Sequence, residues 1–336
     1  MYQNDYTVGL VSALPKELYA IRALFDTRYQ DPQVHLDPND TNSYVFGRIG
    51  HHDVVAACLP QGEYGTNSAA DVASNMHRSF PALRFCLLVG IGGGVPSRTH
   101  DVRLGDVVVS QPTETHSGVV QYDLGKTMEG GSFQAVGVLT RPPRVLMKAI
   151  SNLTSDPDLP PNFLRALLHQ IAARNPSYRS PGAKNDSLHQ SDALHSISSK
   201  DGPKECACPL VDRLQRDHDH PRIFYGVIAS GNQVVKSSTV RDQLGTRHQI
   251  LCVEMEAAGV MNTIPCLVIR GICDYADAHK NKAWQEYAAA TAAAYAKVLL
   301  SYVRRLSTSA KTRLLLEHGE ATIATPDYTS FSRSTQ

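Results

Sequence analysis

The sequence lacks long apolar runs, a surplus of charge of either sign and a regular cysteine framework. No apolar stretch approaches the roughly 20 residues of a membrane span, and the opening MYQNDY has neither the basic nor the apolar region of a signal peptide. The formal net charge of +1 gives no general attraction to nucleic acid or to an acidic membrane surface. We therefore expect no nucleic-acid partner and no membrane partner, and a local pocket must hold any anionic ligand.

The seven cysteines follow no disulfide spacing. Five lie in apolar surroundings: Cys58, Cys86, Cys252, Cys266 and Cys273. Buried reduced thiols of this kind favour a cytoplasmic location. Cys206 and Cys208 form a C-x-C pair, but two thiols without a second pair are a weak indication of zinc. We expect no metal site and no cofactor.

What the chain does contain is a regular alternation of apolar strands and helices. Its 336 residues are 42% hydrophobic and 19% charged, which is typical of a globular protein with a core. The predicted strands are Tyr6–Leu14, Tyr44–Ile49, Asp53–Leu59, Phe85–Ile91, Asp106–Ser110, Ala135–Leu139, Ile223–Ala229, Ile250–Val253 and Leu267–Ile272. Predicted helices open at Pro15 and run over Thr66–Phe80 and Trp284–Arg305. This pattern predicts an α/β sheet with helices on both faces.

Two segments depart from the pattern. Residues 155–221 are polar and rich in Asp, Pro, Ser and His, with apolar periodicity only near Phe163–Ala173. We interpret them as an insertion that the core fold does not need. Residues 307–336 are rich in Ser and Thr and are expected to form a flexible tail. The expected organisation is therefore one catalytic domain over residues 1–306, followed by the tail.

Residues able to do chemistry cluster at predicted strand ends. SALPKE (12–17) follows the first strand, where ligands bind in open α/β sheets. VGIGGGV (89–95) has glycines that let a ligand approach the backbone, and Val95 excludes a dinucleotide fingerprint. VEMEA (253–257) and ICDYAD (272–277) are acidic strand ends.

Five carboxylates fall at the same predicted edge of the sheet: Glu17, Glu254, Glu256, Asp274 and Asp277. A carboxylate at the end of an apolar strand is unfavourable unless it is solvated, paired or used. A single one would usually be a solvated loop residue. Five together indicate a functional site.

These motifs make the chain resemble the nucleoside phosphorylase-I superfamily, especially its methylthioadenosine/S-adenosylhomocysteine nucleosidase-like branch. The resemblance covers Tyr6–Ser151 and Arg222–Arg305 and is strongest to fungal domains at the front of NACHT, ankyrin or TPR proteins. Its most specific motifs are V-E-M-E-A and C-D-x-A-D, about 20 residues apart. It implies a single-domain three-layer α/β/α sandwich around a twisted mixed sheet.

The resemblance also implies roles for individual residues. Asp274 matches the general acid that protonates the purine at N7. Glu256 matches the carboxylate that binds the ribose 2′- and 3′-hydroxyls, with Met255 packed under the sugar. Glu17 matches the glutamate that deprotonates the attacking water in the hydrolytic branch. Cys273 stands where those nucleosidases usually have serine, which puts a hydrogen bond that aims Asp274 in doubt.

Each carboxylate also has a purely structural interpretation. Glu17 by itself fits an exposed acid in a first helical turn, favoured by the helix dipole. Glu254 is a candidate for substrate contact or a buried partner of Arg270. Asp277 either caps the next helix or orients Asp274.

Further substrate contacts are expected from Gly92, Gly93, Asn232, Gln233 and Lys126. Asn232 and Gln233 have an equal alternative, which is simply to turn the chain. The substrate is expected to be a purine nucleoside or nucleotide, and the relatives implied by the resemblance act on adenine nucleotides. ATP, cleaved to adenine and ribose 5′-triphosphate, is the leading candidate.

The sequence favours hydrolysis over phosphorolysis. Phosphorylases of the superfamily hold phosphate with arginines near the first strand and the glycine stretch, and neither 12–14 nor 87–89 contains one. The alternatives are a phosphorylase that uses Arg98, Lys126 or a neighbouring subunit, and a non-catalytic nucleotide-sensing or oligomerising module.

The group on the ribose 5′ carbon stays open. Cations near predicted strand ends that suit 5′-phosphates are Arg98, Arg103, Lys126, Lys236, Arg241, Lys280 and Lys282. Most lysines and arginines are solvated surface groups, so this set is only a pool of candidates. The resemblance implies a homo-oligomer in which a neighbour's loop helps close the pocket, and Thr113–Lys126 is the candidate loop.

Overall fold

The computed structural model describes residues 2–30, 32–129, 133–191 and 208–305. The strands are β1 Val8–Ser12, β2 Thr27–Tyr29, β3 Tyr44–Ile49, β4 His52–Cys58, β5 Phe85–Gly94, β6 Val107–Ser110, β7 Val119–Gln121, β8 Gly125–Thr127, β9 Phe133–Ala135, β10 Ile223–Ser230, β11 Ile250–Glu254 and β12 Cys266–Asp274. The helices are α1 Pro15–Ala23, α2 Thr66–Ser79, α3 Arg144–Thr154, α4 Arg165–Arg174, α5 Ser238–His248, α6 Ala257–Val260 and α7 Gln285–Ser301. Met1–Val303 forms one compact unit. The predicted tail and Cys206 lie outside the described residues.

The main sheet is mixed and closes on itself at one end. Its strand order is β11-β10-β6-β12-β5-β1-β4-β3-β2, and β7 adds to β10. β1 and β12 flank β5 in parallel, whereas β6 runs antiparallel to β12. β11 also pairs antiparallel with the end of β5, through Cys252 and Val253 opposite Gly94 and Gly93. This pairing brings the last residues of β5, β11 and β12 together.

Helices cover both faces of the sheet, as the sequence predicts. Alternate side chains of β5 enter different apolar clusters, with Leu87 on one face and Leu88 on the other. Side chains of α1, α3, α4 and α7 join the first cluster, and side chains of α2 and α6 join the second. The expected three-layer α/β/α architecture is confirmed.

The alanine-rich helix α7 lies unusually close to the sheet. A Cβ atom added at Gly271 in β12 would meet the carbonyl oxygen of Ala288 at 1.8 Å. The small residues on both sides therefore allow the close approach. Because Asp274 ends the same strand, this packing also fixes the strand that carries the candidate acid.

The first part of the segment 155–221 packs against the core. In its first part Leu164, Leu168, Ile171 and Tyr178 are buried in the cluster shared with α1 and α7. Leu168 and Ile171 belong to the amphipathic helix α4, which covers apolar surface that would otherwise face water. The interpretation of the segment as an insertion that the core fold does not need stays a prediction, and these contacts weigh against it.

Two local predictions are also wrong. The predicted strand Ala135–Leu139 has only its first residue in a strand, since β9 ends at Ala135. The predicted loop Thr113–Lys126 contains β7, which pairs with β10, and the start of β8, which pairs with β9. In the part of the chain that the structure describes, no helix is both long and apolar enough to cross a membrane.

Candidate active site

Glu17 lies in the first turn of α1 but is buried rather than exposed. Its side chain is 2% exposed. One carboxylate oxygen accepts hydrogen bonds from the backbone N–H of Ala13 at 2.7 Å and of Leu14 at 2.8 Å. The other accepts from the N–H of Ile91 at 2.7 Å, which ties the start of α1 to β5. The interpretation of Glu17 as a solvated helix acid is therefore wrong.

Arg270, at the centre of β12, is the cation around which three glutamates gather. Its guanidinium is fully buried and pairs with Glu254, and it also bonds Glu256 at 3.1 Å. The Glu254 carboxylate also accepts from the backbone N–H of Glu256 and of Ala257. The predicted buried pair between Glu254 and Arg270 is confirmed, and it leaves Glu254 engaged in holding the turn after β11.

The third glutamate of this group, Glu17, is close enough to Arg270 to feel its charge. The pKa of Glu17 is raised on balance, because the effect of burial exceeds the opposing effects of Arg270 and the three backbone donors. A Cβ atom at Gly90 would lie 2.4 Å from the Arg270 guanidinium and 2.5 Å from the Glu17 carboxylate. The glycine at this position therefore makes room for both side chains.

Glu256 occupies the bend between β11 and α6. The pKa of Glu256 is raised to about 7. Burial is the largest cause, the charges of Glu254 and Glu17 also raise the pKa, and Arg270 lowers it. The oxygen that does not bond Arg270 lies 3.4 Å from the backbone N–H of Gly65. Met255, beside it in the bend, is half-buried.

Gly92 and Gly93 are packed against side chains of the site itself. A Cβ atom at Gly92 would lie 2.4 Å from the Cys252 sulfur, and one at Gly93 would lie 2.9 Å from the Asp274 carboxylate. A Cβ atom at Gly92 would also lie 3.5 Å from the Arg270 side chain, so Gly92 adjoins both Cys252 and Arg270. The glycines are needed here because three strand ends meet.

Asp274, at the end of β12, is buried and meets three donors. One oxygen accepts from the backbone N–H of Ala276 at 2.9 Å. The other accepts from the Cys273 thiol at 3.0 Å and pairs with the Lys280 ammonium at 2.9 Å. Burial and the neighbouring Asp274 raise the pKa of Cys273 well above its ordinary value, so the thiol keeps its proton and donates it. Cysteine thus supplies the hydrogen bond that the missing serine put in doubt.

The residue after the acid is clamped by the segment 155–221. Tyr275 is buried, its hydroxyl donates to the Asp186 carboxylate, and Arg213 donates to that hydroxyl at 2.9 Å. The backbone carbonyl of Tyr275 accepts from Arg241 at 3.0 Å. Ala276 follows with φ of 52°, a left-handed conformation that is unfavourable by about 1 kcal/mol or more for alanine. The clamp holds this strained turn, and sequence reasoning did not find it.

Asp277 neither caps a helix nor contacts Asp274. One of its oxygens accepts from the backbone N–H of His279 at 2.9 Å, and the other lies 3.8 Å from the Arg241 guanidinium. The capping interpretation is therefore wrong, because the chain forms a turn rather than a helix at this point. The interpretation that Asp277 orients Asp274 stays a prediction.

Asn232 and Gln233 lie on the turn after β10. The Asn232 side-chain oxygen accepts from the backbone N–H and hydroxyl of Thr66, at 2.9 Å and 3.0 Å. Its backbone N–H donates to Asp123 at 2.6 Å. Gln233 is exposed, and its carbonyl accepts from the Tyr122 hydroxyl. The geometry favours the structural interpretation of Asn232, which holds the start of α2.

The candidate cations are dispersed. Lys126 is exposed on β8, in a two-stranded sheet separate from the main one. Arg103 pairs with Asp101, and Arg241 is buried against the Tyr275 turn. Of these candidate cations, Lys280 is the one that pairs with a candidate catalytic residue, Asp274, and no pattern in the sequence predicts that pairing.

The family of the chain follows from a match over nearly its whole length. Residues 7–307 match the profile of the phosphorylase superfamily. The chain belongs to the phosphorylase superfamily. The resemblance that its motifs predicted is confirmed, and so is the fold that the resemblance implied.

Relatives of this superfamily member include longer proteins. A nucleotide-binding leucine-rich repeat (NLR)-like protein of Hyaloscypha variabilis is 45% identical over 301 residues, 89% of this chain and 30% of that protein. A 5′-methylthioadenosine/S-adenosylhomocysteine nucleosidase of Mycobacterium bovis is 25% identical over 302 residues, 88% of this chain and 95% of that one. ATP nucleosidase Cap17 of Escherichia coli is 23% identical over 297 residues, 85% of this chain and 49% of that protein. The chain thus spans less than a third of the fungal relative.

The fold recurs in solved structures. An S-adenosylhomocysteine nucleosidase of Streptococcus pyogenes superposes with a TM-score of 0.55 at 18% identity, covering 90% of this chain and 98% of that one. At this identity the likeness concerns the fold of the superfamily alone.

Proposed function

We propose that the chain hydrolyses the N-glycosidic bond of an adenine nucleotide, with ATP as the leading substrate. The observation that carries the proposal is the buried Glu17 carboxylate, which three backbone N–H groups fix beside β5. A fixed base suits water as the nucleophile, whereas phosphate would require free cationic donors at this place. Arg270, the cation beside Glu17, is fully buried and engaged by Glu254 and Glu256.

In the proposed reaction, Asp274 donates a proton to N7 of the purine. The bond between C1′ and N9 then breaks, and its electron pair stays on N9, so that neutral adenine leaves. The sugar passes through an oxocarbenium-like state, which the negative charge of Glu256 at the ribose hydroxyls stabilises. Water adds to C1′ and gives its proton to Glu17. Exchange with solvent restores the proton on Asp274 and removes the one on Glu17.

The choice of an adenine nucleotide rests on the similarity to ATP nucleosidase Cap17 and on Lys280 beside Asp274. Gly92, Gly93 and Met255 are proposed to line the nucleoside, because they adjoin Asp274 and Glu256. Lys126 stays a weaker candidate, since its exposed position on β8 requires either a moving hairpin or a neighbouring copy.

The test is a substrate panel with and without inorganic phosphate. Purified protein receives ATP, AMP, adenosine, methylthioadenosine or inosine, and free base and sugar product are separated by chromatography. We expect adenine release that does not depend on phosphate, and its loss in Glu17→Gln. Phosphate-dependent formation of a ribose 1-phosphate would support a phosphorylase, and absence of release from every substrate would support a nucleotide-sensing module. Preference for methylthioadenosine or adenosine over every nucleotide would refute the 5′-phosphate part alone.

A further inference from the structure

The hydrogen-bond donors around Asp274 oppose its proposed role as a general acid. The Lys280 ammonium lies 2.9 Å from one oxygen, and the same oxygen accepts the Cys273 thiol at 3.0 Å. An opposite charge at this distance favours the ionised form of a carboxylate. A general acid, by contrast, must carry the proton that it gives to the purine. In the structure, the candidate acid is therefore paired with a cation, and this pairing opposes its role as a proton donor.

The Lys280 side chain is more accessible to a ligand than the carboxylate that it pairs with. It lies in the turn after β12, and its side chain is 27% exposed although its partner Asp274 is 3% exposed. Burial alone lowers the pKa of Lys280, but Asp274 raises it above its ordinary value, so the side chain stays an ammonium. A lysine has a long flexible stem, which lets the charged group exchange one anion for another without moving the backbone.

The geometry of a nucleotide brings a second anion to this place. The base and the 5′ carbon project from the same face of the ribose ring, and in the anti arrangement about the glycosidic bond the C8–N7 edge of the purine faces the 5′ carbon. A purine bound this way with N7 at Asp274 would have its 5′ group on the Asp274 side. A phosphate carries more negative charge and more acceptor oxygens than a carboxylate, so a 5′-phosphate within reach of Lys280 would compete with Asp274 for its ammonium.

We propose that Lys280 couples recognition of the 5′-phosphate to protonation of Asp274. The phosphate takes the ammonium, and the carboxylate, freed of its counter-charge, takes a proton from solvent and becomes the acid. A nucleoside without phosphate leaves the pairing intact and is cleaved slowly even when bound. Lys280 is then a residue that determines specificity through turnover as well as binding. This inference rests on the proposed hydrolase function.

The test compares AMP with adenosine, which differ only in the 5′-phosphate, in wild type and in Lys280→Met. In the wild type we expect a higher kcat for AMP. In the variant, kcat/KM for AMP falls about 10- to 100-fold because a charge-assisted contact is lost. The kcat for adenosine instead rises about tenfold, because an opposite charge no longer opposes protonation of the acid. The two substrates therefore respond in opposite directions.

The pH profile of kcat distinguishes this coupling from a purely structural role of Lys280. A reaction that needs a protonated acid slows as pH rises, and removing a neighbouring cation moves that decline to higher pH. For the wild type, we expect kcat to decline at a higher pH with AMP than with adenosine. With adenosine as substrate, we expect kcat to decline at a higher pH in Lys280→Met than in the wild type. In the described part of the chain, the thiols of Cys252 and Cys273 also face Asp274, and burial raises the pKa of both, so they stay neutral.

Two control variants complete the test. Lys280→Arg keeps the charge and should keep the preference for AMP, and Lys148→Met removes an exposed lysine on α3 and should change neither substrate. Equal loss for AMP and adenosine in Lys280→Met, or coincident wild-type pH profiles for the two substrates, would overturn the coupling. The profiles require no variant, so a folding defect does not spoil the test. Failure of the proposed function looks different, since wild type would then release no base at all or Asp274→Asn would stay active.

Discussion

At the scale of single residues, the site depends on carboxylates whose charge is set by what surrounds them. Among the described residues, the hydrogen-bond donors of Glu17 are backbone N–H groups, and the Arg270 charge lies nearby, whereas Glu256 bonds Arg270 and Asp274 pairs with Lys280. The three carboxylates thus differ in their direct partners, which are backbone dipoles, a shared guanidinium and an ammonium. These three settings suit a base, a sugar ligand and an acid.

The first residue-scale prediction is that Asp274→Asn folds normally and loses base release by about 10²- to 10⁴-fold. The amide keeps the shape and can still accept the Ala276 N–H, but it has no acidic proton for N7. Turnover is measured by chromatography of free base, and folding by circular dichroism and thermal melting. Near-wild-type turnover would remove Asp274 from the mechanism.

The second concerns Glu256 and the pH dependence of stability. Its pKa is raised to about 7 in the fold, where Arg270, Glu254, Glu17 and the Gly65 N–H face it. The folded protein then holds a proton that the unfolded chain releases near pH 4.5, so stability is full below that value and falls as pH rises towards 7. Glu256→Gln should abolish this fall, which amounts to at most about 3 kcal/mol.

The measurement is urea denaturation of both proteins at several pH values from about 5 to about 8. We expect the stability of the wild type to decline more steeply than that of Glu256→Gln over this range. Parallel curves would mean that Glu256 is already ionised in the folded protein.

The sequence predicted which carboxylates lie close together and which edge of the sheet carries them. Glu17, Glu256 and Asp274 follow strands, and the carboxyl ends of parallel strands share an edge, so sequence order suffices to group them. Lys280 pairs with Asp274 by reaching back across a turn, and Asp186 contacts Tyr275 from 89 residues away. No local pattern in the chain encodes either contact.

At the scale of elements, the segment 155–221 supports the strand end that carries the acid. Its residues Asp186 and Arg213 hold the Tyr275 hydroxyl, and Trp284 donates to the carbonyl of Asn185 at 3.2 Å. The composition of this segment predicted an accessory role because polar side chains rarely build a core. What composition does not reveal is that these polar groups bond a buried tyrosine.

We expect Tyr275→Phe to lower kcat several-fold with little change in KM. The substitution leaves Asp186 and Arg213 without the hydroxyl between them and is expected to cost about 1–3 kcal/mol of stability. The matched control is Tyr302→Phe, which removes a hydroxyl that bonds Asp156 at the end of α7 and should leave kcat unchanged. Equal kinetics for the two variants would show that the clamp has no part in placing Asp274.

Deleting the insertion gives a second element-scale prediction. The sequence alone suggested that a short linker in place of 155–221 would leave a soluble protein. Since Leu164, Leu168 and Ile171 are buried against the core, we now expect the deletion to lower the melting temperature sharply or to abolish soluble expression. A deletion protein that melts like the full chain would restore the original expectation.

At the scale of the whole molecule, the expected homo-oligomer stays a prediction. The hairpin β8–β9 and the residues next to it expose apolar side chains, at Leu124, Met128, Val136 and Val138. Val138, at 85% exposure, is the most exposed of these. Such a patch is typical of a contact surface between proteins.

If this patch joins copies of the chain, Val138→Asp should shift the protein to a smaller species in size-exclusion chromatography with light scattering. Leu214→Asp is the matched control, because Leu214 is 91% exposed and lies in a different segment of the chain. We expect the control to elute like wild type. Identical masses for all three proteins would remove the hairpin as a contact surface.

The closure of the sheet has a consequence for how such copies can meet. Among the described strands of the main sheet, only β2 and β7 pair with a single neighbour, and each has three residues. A free edge is the template on which a foreign strand adds, in amyloid growth as in domain swapping. Over its described strands, the main sheet presents almost none, because β11 turns back onto β5. We therefore expect copies of the chain to meet through side chains or the separate β8–β9 hairpin, and not by extending the main sheet from one copy into the next.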